Sequence, residues 1–325
     1  MKQITHLSRR DILRNAGAVV AASSFATSDA AFGNSASPRA PQASKQRRVL
    51  VLMGDRYHNQ ANIRGSLHPV FTELQLRVDY TTNYYELSTD LLKPYQLFVC
   101  FRDNAIWPGG YLGSDEDPLG GRGVADGLEN REDFPSEKSE NWITEEQGHA
   151  VQDFVSAGNG FLSLHCSSLI SQSSKNFRDV QGGVALGHTP VRYFKVRIVN
   201  KEHPITDGVA DFMINDEQQY TTYDKDPRNL LLQAENLDGL TFDPTTPRAG
   251  RAGGRGGRGF LNLPSTETGT PSAGNLGTTS AVGWAHEYGQ GRVAFLAMGH
   301  TPQSMNVPEY IKLQKNAIRW LLKQT

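Results

Sequence analysis

The chain has 325 residues, 33 of them Lys or Arg and 34 Asp or Glu, for a formal net charge of −1. Charges this balanced and interspersed leave no basic face for nucleic acid, and the length suffices for one large α/β domain with a real core. Ser8-Arg9-Arg10-Asp11-Ile12-Leu13-Arg14 precedes an interrupted apolar run from Ala16 to Ala26, too short for a stable membrane span. With a small-residue cleavage point after Ala30, residues 1–30 are expected to be an export signal, the competing readings of the pair Arg9-Arg10 being an ordinary signal or an N-terminal helix. The paired arginines resemble a twin-arginine signal, with Ile12 where the consensus has Phe. That predicts a precursor handled by the twin-arginine export machinery and a periplasmic or secreted protein. Residues 31–47, rich in Ala, Ser, Pro and Gln, are expected to form a flexible leader.

The folded part is expected over residues 48–325. Arg48 to Gly54 is a first buried strand ending in glycine, Pro69 to Leu76 a helix, Arg77 to Thr81 a second strand and Leu97 to Phe101 a third. Residues near 103–140 form a long Gly/Asp/Glu-rich loop carrying Trp107 and Tyr111, two rings suited to stacking on a sugar or to loop packing. Thr144 and Gln147 have the spacing of a capping box, and Gly158 is placed to end the helix. Gly160 to His165 is another buried strand. Further strands are expected over Phe194 to Val199, Leu230 to Ala234 and Gly291 to His300, with an inserted surface loop near 246–280 and an amphipathic helix from Tyr310 to Leu322. Alternating strands and helices predict a mostly parallel sheet flanked by helices.

Polar residues cluster where such a sheet presents its working groups, beyond the carboxyl ends of the strands. Asp55 and His58 follow the first strand, His165 ends the strand after Gly160, His188 lies in a Gly-rich loop, Glu217 follows Asp216, and His300 ends the last long strand. Imidazole and carboxylate suit a transition metal such as zinc, nickel, manganese or iron. They suit metal-free acid–base catalysis equally, or a non-catalytic polar cluster, and the long, irregular spacings do not choose. The only cysteines, Cys100 and Cys166, sit in apolar stretches and are expected to be buried thiols rather than a pair. Cys166 precedes Ser167-Ser168 like a nucleophile turn, but its flanks lack the glycines of a tight elbow.

The strand ending in His165, the pair Gly187-His188, the segment from Phe194 through His203-Pro204-Ile205 to Gly208, Asp216-Glu217 with Tyr220, and the run from Val282 to Val293 followed by Gly299-His300 together resemble the trehalose-utilisation ThuA-like family. The resemblance covers roughly residues 48–323. It implies a single flavodoxin-like, class I glutamine amidotransferase-like domain in which His165 replaces the amidotransferase cysteine. It also implies small-molecule carbohydrate, including 3-keto disaccharides, as the partner, and in some members a metal. The expected site then has His58, His165, His188 and His300 around a divalent metal, zinc first. His188, His165, Glu217 and Asp55 are the acid–base groups, and Trp107, Tyr111 and Tyr220 the sugar contacts. The expected activity is metal-assisted hydrolysis, elimination, hydration or isomerisation of a sugar or glycoside. The alternatives are a periplasmic carbohydrate-binding protein without turnover and an amidotransferase-like cysteine hydrolase.

Overall fold

Apolar runs long enough to cross a sheet and too short for buried helices become its central strands. The computed structural model describes residues 46–106, 140–237 and 279–325. The expected export signal, nearly all of the leader, Trp107, Tyr111 and most of both inserted loops lie outside those residues. In chain order, the first half contains β1 (Arg48–Met53), α1 (Gln60–Glu73), β2 (Arg77–Thr81), α2 (Thr89–Leu92) and β3 (Leu97–Phe101). A two-residue antiparallel pair follows, β4 (Ala105–Ile106) with β5 (Glu140–Asn141), then α3 (Glu145–Ser156) and β6 (Gly160–Leu164). A 3-10 turn over His165–Gln172 leads to α4 (Lys175–Gln181) and β7 (Gly183–His188). The second half runs through β8 (Arg192–Ile198), β9 (Phe212–Asp216), β10 (Gln219–Tyr223), β11 (Leu230–Asn236), β12 (Thr279–Tyr288) and β13 (Gly291–Leu296) to α5 (Pro302–Met305) and α6 (Pro308–Leu321).

Nine strands form one sheet in the order β2-β1-β3-β6-β13-β12-β11-β8-β9. The first five pair in parallel, in the order of a flavodoxin-like sheet. The last four pairings, from β13 to β9, are antiparallel. The sheet is therefore mixed, half and half, rather than mostly parallel. The physical reason is connection length. β12 reaches β13 through a tight turn at Gly289-Gln290, which can only return the chain antiparallel. β7 and β10 form a separate antiparallel ribbon.

Burial follows the same division. β1, β3 and β6 are buried almost throughout, because helices cover both faces. Val49, Val51, Val99 and Leu162 pack with α1 and α6, whereas Leu50, Leu52, Phe98 and Phe161 pack with α3 and α4. β8 and β9 instead alternate buried and exposed positions, the pattern of a sheet with one open face. The capping box of α3 is present, with Thr144 Oγ1 accepting from the Gln147 N–H and Gln147 Oε1 accepting from the Thr144 N–H. The first helix begins nine residues before Pro69, at Gln60, capped by Asn59, and Pro69 lies inside it. Proline, an ordinary helix starter, marks the wrong point here. Cys100 and Cys166 are both buried and free.

Two histidines serve this framework. His203 Nδ1 accepts from the Ile205 N–H (3.1 Å), and its ring lies 5.0 Å from that of Trp320. His286 Nε2 donates to the Val180 carbonyl (3.1 Å), and burial pushes this imidazole down to about 4 from 6.5. A folded state that favours neutral His286 is stabilised fully above pH 6.5, and that contribution is lost as the pH falls from 6.5 towards 4. Chemical denaturation of wild type and His286→Gln from about pH 7 to about pH 4 should therefore diverge. The wild-type unfolding free energy should fall more steeply, by at most about 1 kcal/mol per pH unit. Parallel slopes would show that His286 does not titrate on unfolding.

Candidate metal centre at the strand ends

The carboxyl ends of β1, β3, β6 and β13 converge, and each contributes to one buried polar cluster. β1 runs out at Gly54, whose φ of +84° suits a residue without Cβ and turns Asp55 inward. The Asp55 carboxylate accepts from the backbone N–H groups of Tyr57 (2.8 Å), His58 (3.1 Å) and Asp103 (2.7 Å). It also accepts from His58 Nδ1 (2.8 Å). Burial works against the charge of Asp55, but His58 and these N–H groups outweigh it and hold the carboxyl far below its usual range. For His58 burial is likewise the largest influence, yet Asp55 overcomes it and raises the imidazole.

β6 delivers His165, which is fully buried and has a φ of +47°. Left-handed backbone at a non-glycine residue costs of order 1–3 kcal/mol and needs surrounding structure to hold it. His165 Nδ1 donates to the Ala297 carbonyl (2.8 Å), so the neutral ring carries its lone pair on Nε2. That Nε2 is buried without a hydrogen-bond partner among the described residues. β13 delivers His300 through Gly299. His300 Nδ1 lies 3.2 Å from His58 Nε2 and 3.4 Å from Glu217 Oε2, and its Nε2 is also buried without a hydrogen-bond partner among the described residues. Burial, then the proximity of His58, pushes His165 well below 6.5, and burial brings His300 to about 4, so both rings are neutral at pH 7. The rings of His58, His165 and His300 have centroids 4.9–5.5 Å apart. One nitrogen from each lies within 4.8 Å of the other two, close enough for a shared ion.

Glu217, between β9 and β10, joins this triad to the ribbon. Its carboxylate is 3.1 Å from His188 Nδ1, 3.4 Å from His300 and 3.8 Å from His165 Nε2. Burial opposes its charge, but His188 and His300 keep it ionised, well below the usual glutamate range. His188 also donates to the Thr189 carbonyl (2.9 Å), and with 27% of its side chain exposed it is the open member of the set. His188 therefore belongs with Glu217 rather than with the three clustered rings. Tyr220, expected as a sugar contact, is 1% exposed and packs with Val184 and Leu186.

Cys166 Sγ points at Asp55 Oδ2 from 3.6 Å, and Asp55, His58 and Cys166 form a second group with ligand-like spacing. Burial, then Asp55 and Asp103, hold the thiol well above its ordinary pKa, which opposes both a thiolate ligand and a thiolate nucleophile. Two contributors escape the sequence reading. Asp103 ties β3 to Asp55 through its N–H and receives Trp142 Nε1 on its carbonyl (2.8 Å). Asp216, adjacent to Glu217, is fully buried, and burial pushes it up to about 7 against the backbone donors of Gly299 and Glu217. Its place next to Glu217 was the available signal.

A ThuA-like protein from Parabacteroides merdae ATCC 43184 is 13% identical with a TM-score of 0.54, covering 86% of this chain and 91% of that one, and it supports the fold. A ThuA-like protein from Bacteroides uniformis ATCC 8492 is 16% identical with a TM-score of 0.48, covering 87% and 95%. A search of curated proteins gives no match. Two other structural matches, from Salmonella typhimurium, each 13% identical with a TM-score of 0.45 and covering 85% of this chain and 98% of theirs, differ from the periplasmic or secreted location expected here. Both are cytoplasmic proteins. The ThuA family model, described as trehalose utilisation, matches residues 134–321, more than half of the chain, and the chain belongs to this family.

Proposed function

We propose that this protein is a metal-assisted enzyme acting on a sugar or glycoside, with His58, His165 and His300 as ligands and zinc as the ion. The observation that carries the reading is the pair of buried, unpartnered Nε2 atoms on His165 and His300, beside His58. A buried polar nitrogen left without a partner is costly, and a metal ion is one partner that neutral imidazoles satisfy. Asp55 supports His58 as outer carboxylates commonly support metal-bound histidine, fixing its ring and raising its basicity. The family description, trehalose utilisation, supports carbohydrate as the substrate class.

A bound divalent ion would polarise a substrate oxygen and lower the pKa of a water. The chain's own residues do the rest. His188, the exposed imidazole, takes and returns a proton, and ionised Glu217 steadies it in the charged form. Asp55 keeps His58 in place, and His165 and His300 offer buried, neutral rings as the other two ligands. A 3-keto glycoside suits this set, because a keto group acidifies the neighbouring C–H that a histidine removes. Hydrolysis, elimination, hydration and isomerisation are all open to such a site.

Gently purified protein should contain close to one transition-metal ion per chain by elemental analysis, and His165→Ala should lose it. Metal-free protein with full activity would remove the metal from the mechanism.

On a panel of keto- and ordinary disaccharides, His188→Ala should lower kcat/KM by about 10²–10⁴. Cys166→Ser should stay near wild type, because the buried thiol is held protonated. The reverse result would favour a cysteine hydrolase. Wild type that binds these sugars without turning any over would be a carbohydrate-binding protein.

A further inference from the structure

Asp216 has no part in the chemistry above, yet no part of it lies open to solvent. It is the last residue of β9, the far edge of the sheet, with β12, β11 and β8 intervening between β9 and β13. Four strand spacings in a flat sheet separate two strands by about 19 Å. Asp216 Oδ2 nevertheless accepts from the Gly299 N–H at 2.6 Å, and Oδ1 accepts from the His300 N–H at 3.1 Å. Oδ1 also accepts from the Glu217 N–H at 2.9 Å. The segment that leaves β13 and the end of β9 therefore meet at the same end of the sheet, and this carboxylate is the joint.

We propose that Asp216 is the positioning residue that sets His300 and Glu217 against each other. Its three donors belong to Glu217 itself, to His300 itself and to the glycine before His300. Gly299 has a φ of +134°, and a Cβ there would press on the Phe101 ring at 3.2 Å, so this backbone has little freedom to find another acceptor. Three converging N–H groups need acceptors, and the two carboxyl oxygens of Asp216 take all three, whereas asparagine offers one oxygen and an NH2 group that cannot accept. The role as a joint stands on these bonds alone. Its effect on metal affinity rests on the proposed metal site.

Two measurements test it, with Asp216→Ala, Asp216→Asn and, as a control, Leu232→Ala in the core of β11, away from the joint. Competition with a chromophoric chelator should show zinc bound about 10–100-fold more weakly by Asp216→Ala, the range for loss of an outer partner of a metal ligand. Asp216→Asn, which keeps one acceptor oxygen, should fall between it and wild type and is the variant to read if the alanine chain fails to fold. Amide hydrogen exchange at Gly299 and His300 should quicken in both, with the β13 amides unchanged. Leu232→Ala should lower thermal stability without either effect. Wild-type zinc affinity in a folded Asp216 variant, unchanged exchange at these two amides, or equal zinc loss in the control would overturn the proposal. Wild type that takes no zinc would instead sink the metal reading, and the exchange measurement would then decide the joint alone.

Discussion

A carboxylate can be kept ionised inside a protein only if donors replace the water it has lost, and the candidate site begins from that requirement at Asp55. Its donors come from its own turn and from the end of β3, so the charge holds two strand ends together. Through Nδ1 it also fixes the ring of His58, the imidazole whose other nitrogen faces His300. Removing the carboxylate would take this acceptor from three backbone N–H groups, at about 1–3 kcal/mol for any left buried without another. The histidines around it are pulled in opposite directions. His58 beside it favours the proton, while His165 and His300, governed by burial, give theirs up.

The two halves of the sheet divide the work. The parallel half supplies three rings from strand ends, the usual place for ligands in such sheets. The antiparallel half and its ribbon supply Glu217 and His188, and Glu217 meets the rings of His165 and His300. The result is a gradient from dry to wet, with His165 fully enclosed and His188 at the opening. Groups that hold and groups that exchange protons thus have different surroundings within a few ångströms.

Strand ends were legible in the sequence because each apolar run stops at a polar residue: Gly54-Asp55 after β1, His165 after β6, Gly299-His300 after β13. The direction of pairing was not, since a short run such as Ala281 to Ala285 has the same composition in a parallel or an antiparallel sheet. Asp216 was hidden by its own strand, whose alternation is that of any half-exposed edge. The burial of Tyr220 was likewise not legible, because it depends on Val184 and Leu186 of the neighbouring strand. That His188 would pair with Glu217 depended on the β7–β10 ribbon, a contact between segments about 30 residues apart that local pattern cannot specify.

His58 and His300 touch across 242 positions of chain. A polypeptide emerges from the ribosome amino end first and folds as it lengthens. The early strands and their histidine can therefore be in place while the residue that completes the cluster is still unmade. A pocket assembled from both ends of a chain closes late, and contacts this distant in sequence are slow to form. Any ion held by these rings is consequently captured only after His300 has been made and brought to His58.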